Sequence, residues 1–252
     1  QEEVTVLITG FGPFNKAFPQ NPSWEIACRL PDYLPPLDQR GKPPTTEPEP
    51  TPPLLPPVRL LVHPAPIRVN YQTVRALVPQ LWDLDGTQHP DRPKVDYVVH
   101  IGMAGREHVY AIERRGHRDG YNMRDVDGEL LGDEERRTRE GKDWIWADEP
   151  EELLTDLDLD DVLSRWKSYT PDHIRLKTSD NAGHYLCDFI YFSSLAHLHK
   201  AGLRRNVVFM HVPADDSLAR IEFGKGTVLR LVRSIVESEM ARQGRLKAGD
   251  SQ

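Results

Sequence analysis

The sequence predicts an α/β fold, a three-layer α/β/α sandwich around a mixed, largely parallel central sheet. Three observations carry this. Short apolar runs suited to buried strands recur along the chain, VTVLIT at 4–9, VDYVVHI at 95–101 and NVVFM at 206–210. Segments of helical periodicity lie between and after them. Glycine-rich loops, GFGPF and GMAG, follow the first two runs directly. Strands alternating with helices build sheets covered on both faces.

Taken in order, Val4 to Thr9 reads as the first buried strand, and Gly10 to Phe14 as a tight loop that offers Phe11 and Phe14 to an apolar ligand. That loop has neither the spacing of a dinucleotide-binding turn nor a following Gly-Lys-Ser/Thr, so it is not a phosphate loop. Pro22 stands at the start of a short helix whose apolar side carries Cys28, read as a packing cysteine. Residues 31–66 hold thirteen of the 22 prolines and read as a long exposed loop of polyproline character, with a short strand at Leu60 to His63 near its end. A helix is predicted over Val69 to Leu84, with Pro79 challenging its straightness. Val109 to Glu113 is a further strand, and the charged, glycine-punctuated stretch after it is a surface or active-site loop.

Residues 132–172 read as an acidic insertion whose charge run, DEPEELLTDLDLDD, is a solvated face. Ile174 to Lys177 leads as a strand into TSDNAGHYLCDFIYFSSLAH at 178–197. There Asn181 reads as a helix cap, which puts Cys187 in the second turn, where help from the helix dipole is partial. His211 follows the strand at 206–210, and Val228 to Met240 is an amphipathic final helix. The whole is expected to be one domain, 1–252, with no internal repeat.

Composition narrows the function. The net charge of −7 gives no general attraction to nucleic acid, and no apolar run approaches a membrane span. Two cysteines, Cys28 and Cys187, make no disulfide framework, and no basic-then-apolar leader opens the chain. A reducing, cytoplasmic location is therefore expected.

The chemistry-bearing residues gather near strand ends, where ligand sites of α/β sheets lie. Cys187 is a candidate nucleophile, His211 its base and Glu113 the acceptor that orients the base. Each also has a bland reading: a buried inert thiol, a histidine bonded to backbone, a glutamate paired with Arg114 or Arg115. Ten histidines compete for the role of base, His184 among them. Asp125, Asp127 and Glu129 alternate like metal ligands, yet the calcium-loop spacing is absent.

The ordered pieces TGFGPF, NPSW, HIGMAG, AIER, SDNAGHYLCD and FMHVP resemble the type I pyroglutamyl peptidases, a cysteine peptidase family, over about residues 4 to 213. The resemblance puts the family's nucleophile on Cys187, its histidine on His211 and its glutamate on Glu113, and it places Phe11 and Phe14 around the pyroglutamyl pocket. It implies an omega peptidase that cleaves after an N-terminal pyroglutamyl residue through a thioester. The oxyanion would be held by amides near Cys187 and the Gly102 to Gly105 loop. It requires no metal or organic cofactor, and its partners are peptides with an N-terminal pyroglutamate. Asn15-Lys16 stand where the common bacterial form has Gly-Gly, and the stretch after Glu113 is closer to the eukaryotic branch. Three alternatives stay open: an inactive binder of pyroglutamyl peptides, a cysteine amidase for another small lactam or amide, and an interaction protein working through the proline-rich loop, which leaves the Glu, Cys and His constellation unexplained.

Overall fold

The structure is a computed structural model that describes residues 2–14, 19–36, 55–105 and 108–249, with side chains described to residue 244. Its elements run β1 (Val4–Gly10), α1 (Pro22–Ala27), β2 (Val58–Val62), α2 (Tyr71–Trp82), β3 (Tyr97–Met103), β4 (Val109–Glu113), β5 (Arg115–His117), α3 (Asp133–Glu140), β6 (Glu152–Leu154), α4 (Leu159–Ser168), β7 (Arg175–Ser179), α5 (Leu186–Lys200), β8 (Val207–Val212) and α6 (Leu218–Gly249). Six strands form the central sheet in the order β2-β1-β3-β8-β4-β7, and β5 pairs with β6 in a two-stranded sheet. Every neighbour in the large sheet is parallel except β4 and β8, which are antiparallel. The mixed, largely parallel sheet is as predicted.

Strand alternation sends side chains to two separate cores. Leu7, Val98, Val207 and Phe209 face α2 and α5 in one cluster, while Val6, Ile8, Val99, Val208 and Met210 face α1, α4 and α6 in the other. These are the three layers. Central strands covered on both faces need apolar residues at successive positions, which is why β1, β3 and β8 read as continuous hydrophobic runs.

Several local expectations change. The proline-rich stretch contains a real edge strand: Val58 to Val62 pairs in register with Val4 to Ile8. Its prolines flank the strand, so its ladder donors survive. The remainder of that stretch, 37–54, lies outside the described residues. Pro79 is accommodated inside α2, in its last turn, and the helix stops at Asp83 in the left-handed region, φ 42°. Cys28 is exposed at the C-terminus of α1 and not packed in a core. The acidic segment is no mere solvated face, because Trp144, Trp146 and Trp166 are all buried. Trp166 is fully buried among α6 and the sheet, and its Nε1 donates to the Thr227 carbonyl at 3.0 Å. Trp166→Ala is therefore expected to cost about 3–5 kcal/mol in urea unfolding. A loss under 1 kcal/mol would mean that α4 is not part of the cooperative core.

Candidate active site

The first turn of α5 begins later than the sequence suggests. The Asn181 side chain accepts from the Gly183 N–H at 2.9 Å, closing a local turn that Gly183 completes at φ 77°. Its capping capacity is spent there, and the helix starts at Leu186 with Tyr185 before it. Cys187 is thus the second helical residue and not a second-turn residue. The first amides of a helix have no partner within it and carry the positive end of its dipole, so this position favours a thiolate and an anion beside it.

His211 is likewise not after its strand but within it, and it is buried. Parallel pairing sets it opposite Gly102 of β3, and antiparallel pairing sets it opposite Ala111 of β4. Cys187 Sγ lies against this pair of strands. A Cβ built on Gly102 would stand 2.8 Å from Cys187 Sγ and 2.5 Å from the Phe209 ring. Only glycine leaves the sulfur its seat.

Glu113 ends β4 opposite Phe209, two residues before His211 on the neighbouring strand and on the same face. Because β4 runs against β8, its carboxyl end does not point the way the ends of β1, β3 and β8 do. The diagonal across the pair nonetheless brings the side chains together. His211 Nδ1 and Glu113 Oε1 are 2.8 Å apart. With Nδ1–H donated to Glu113, the other ring nitrogen remains for a second partner. Burial works against the charged imidazole, but the hydrogen bonds to Cys187 and Glu113 outweigh it and push His211 up to about 9. Cys187 and Glu113 are the two side chains whose interaction favours the charged imidazole, so the three residues singled out in the sequence are neighbours here.

Phe11 and Phe14 come from the loop after β1. Phe11 is buried, its N–H donates to Ser23 Oγ at 3.0 Å, and the Asn21 side chain donates to the Gly12 carbonyl at 3.0 Å. These bonds fasten the loop to the start of α1. Phe11 belongs to the same apolar cluster against which Phe14, Tyr185 and Cys187 pack.

Other candidates separate from the group. His100 is fully buried between Thr9 Oγ1 and Ser194 Oγ, each 2.8 Å from a ring nitrogen. Desolvation pushes it down to about 3, so it is a neutral core residue. His184 stacks on His117, ring centroids 4.9 Å apart, and its Nδ1 bonds the Asp119 carbonyl at 3.1 Å; it is not the base of Cys187. Asp125 is buried and satisfies turn amides, accepting from Asp127 N at 2.9 Å and Glu129 N at 3.1 Å, which accounts for the acidic alternation.

Two neighbours escaped the sequence reading. Tyr191, one turn after Cys187, is fully buried and donates its hydroxyl to the Glu113 carbonyl at 2.8 Å, tying α5 to β4. Its spacing from Cys187 was a usable signal. Asp188 is fully buried and accepts from the His117 N–H at 3.1 Å, with His117 Nδ1 3.0 Å from its other oxygen. Burial pushes its carboxyl up to about 8, against hydrogen bonds from the His117 amide and Tyr121. No pattern in the sequence marks this residue beyond its place beside the cysteine.

Comparison with known proteins adds to the geometry. The sequence signature described as "Pyroglutamyl peptidase" matches residues 87–237. Pyroglutamyl-peptidase 1 of Homo sapiens is 30% identical over 213 residues, covering 84% of this chain and 80% of that protein. Pyrrolidone-carboxylate peptidase of Thermococcus onnurineus is 27% identical over 208 residues, covering 82% of each. Among solved structures, pyrrolidone carboxyl peptidase from Thermococcus litoralis superposes with a TM-score of 0.66 over 95% of this chain and 96% of that one. At 17% identity it supports the fold alone.

Proposed function

The chain belongs to the pyroglutamyl peptidase family, and from that premise we propose that it removes N-terminal pyroglutamate from peptides with Cys187 as nucleophile, His211 as general base and acid, and Glu113 as the group that orients the imidazole. The observation that carries the assignment is the buried His211–Glu113 bond of 2.8 Å beside Gly102, the strand partner of His211 that seats the Cys187 sulfur.

His211 takes the proton of Cys187, giving a thiolate beside the first amides of α5. The sulfur attacks the exocyclic carbonyl that joins pyroglutamate to the next residue. A C–S bond forms, and the carbonyl electrons move to an oxyanion held by backbone amides, which we assign to the start of α5 and the Gly102 to Gly105 loop. The C–N bond breaks as the imidazolium gives its proton to the leaving amine, and the shortened peptide departs. Water, deprotonated by His211, then cleaves the pyroglutamyl thioester and restores the thiol. Phe11 and Phe14 line the acyl pocket. A compact neutral lactam suits an aromatic wall, whereas the ammonium of an uncyclised glutaminyl or glutamyl terminus would lose its hydration there. The substrate class is peptides with an N-terminal pyroglutamate. The chain is proposed to act as a single domain over its whole length.

The test is hydrolysis of pyroglutamyl-aminomethylcoumarin beside the glutaminyl, glutamyl and prolyl derivatives, under reducing conditions. Turnover confined to the pyroglutamyl compound is expected. Folded, reduced protein that cleaves none of the four would sink the reading, and cleavage of a different small amide would move it to an amidase.

A pH prediction accompanies this. The folded-state pKa of His211 is raised above the ordinary 6.5 or so of histidine. Its charged form therefore contributes stability that is fully present below that value and is lost as pH rises through about 9. Glu113→Gln removes one of the two bonds that hold the charge. The alkaline limb of kcat/KM should move to lower pH, with kcat/KM down about 10²-fold or more. Stability should begin to fall at lower pH in the variant. A pH–rate profile and urea titrations at pH 6 and 9 check both, and an alkaline limb unmoved by the change would remove Glu113 from the assignment.

A further inference from the structure

On the far side of Cys187 lies a second cluster that the reaction does not use. His117, His184 and Asp188 each offer one ligand atom, and these atoms lie within 4.8 Å of one another. Nδ1 of His117 is 3.0 Å and Nδ1 of His184 is 3.7 Å from the same oxygen, Asp188 Oδ2. We propose that these three residues form a site for a divalent ion of the Zn²⁺ class, and that the ion fastens the start of the nucleophile's helix to β5.

Three observations support this. Asp188 is fully buried, yet among the described residues its ion pairs are with the two imidazoles and with no lysine or arginine. A buried carboxylate without a fixed cation is costly, and an ion bound by the imidazoles would supply the missing charge. The donor set, two imidazoles and one carboxylate, matches the preference of zinc, with water left to complete a tetrahedron. Tetrahedral ligands about 2.0–2.1 Å from one ion stand roughly 3.3–3.4 Å apart. The two measured edges, 3.0 and 3.7 Å, bracket that value, and the exposed His184 ring can adjust the third by giving up its bond to the Asp119 carbonyl. Behind the site, Glu152 Oε1 stands 3.8 Å from His117 Nε2, where a carboxylate orients a ligating imidazole.

The three ligands come from three segments: β5, the turn before α5, and the first turn of α5 itself. An ion shared among them bears on the backbone that carries Cys187, the residue before Asp188.

Cys187 and His211 could take the same ions, so binding is read on Cys187→Ser protein freed of metal, where catalysis plays no part. Calorimetry with Zn²⁺ should give one equivalent bound, and Zn²⁺ should raise the Tm, while Mg²⁺ should not. Adding His184→Ala should weaken Zn²⁺ binding at least about tenfold and abolish the Tm rise. Because His184 is exposed, that change does not disturb a core. His117→Gln serves as an independent second ligand variant with the same expectation. Failure of the Cys187→Ser protein to bind Zn²⁺, or binding equally tight after His184→Ala, would overturn the proposal.

Discussion

Cys187→Ser is expected to lower kcat/KM for a pyroglutamyl substrate by about 10⁴-fold or more, equivalent to roughly 5–6 kcal/mol of lost transition-state stabilisation. The substitution keeps the shape of the side chain and leaves the backbone of α5 untouched. What it removes is the sulfur nucleophile itself, for which a hydroxyl is a poor replacement in attack on an amide carbonyl. It also removes the partner that helps hold the charge on His211. The imidazole should therefore titrate at lower pH in the variant, an effect visible by NMR without any turnover. The thiol is only partly buried, so the midpoint of unfolding near neutral pH should change little. A variant that keeps a tenth of the activity, or that loses activity only because it unfolds, would remove Cys187 from the chemistry.

Gly102→Ala should also be damaging, although glycine can take no chemical part. The new methyl would stand 2.8 Å from Cys187 Sγ and 2.5 Å from the Phe209 ring, well inside contact distance. Both neighbours are confined, Phe209 within a central strand and Cys187 at a helix start. One of them must shift. Overpacking of this kind costs about 1–3 kcal/mol of stability. A displacement of the sulfur by about 1 Å is enough to lower kcat on the order of 10²-fold. Circular dichroism and denaturant titration report the first effect, and steady-state kinetics the second. Wild-type kcat in a folded Gly102→Ala protein would mean that the sulfur is not seated against β3 as described.

What could be read in the sequence was the part encoded locally. Strands β1, β3, β4 and β8 declare themselves because burial on both faces demands unbroken apolar runs. Cys187, His211 and Glu113 were legible because short motifs surround each of them. The direction of β4 was not, since a buried strand presents the same pattern whichever way it runs. The start of α5 was misplaced because Asn181 has two uses for its side chain, and Gly183 selects the turn over the cap. The three buried tryptophans were hidden by acidic neighbours, whose charge dominates composition while the indoles fill the cores. Gly102 was visible as part of a loop, yet its purpose depends on a sulfur 85 positions away in the chain, which no local pattern specifies. Asp188 and its two histidines became a cluster only once β5 was laid against α5.

The antiparallel step between β4 and β8 has a bearing on folding. The bond between Glu113 and His211 spans 98 positions. Closing so long a loop carries an entropic cost that local helix formation does not. The helix bearing Cys187 can form early from its own neighbours, but the imidazole arrives on the last strand of the sheet. A nascent chain that ends before β8 therefore carries the thiol and the carboxylate without their base. On the proposed roles, the order of synthesis delivers the base last, after both of the groups it joins.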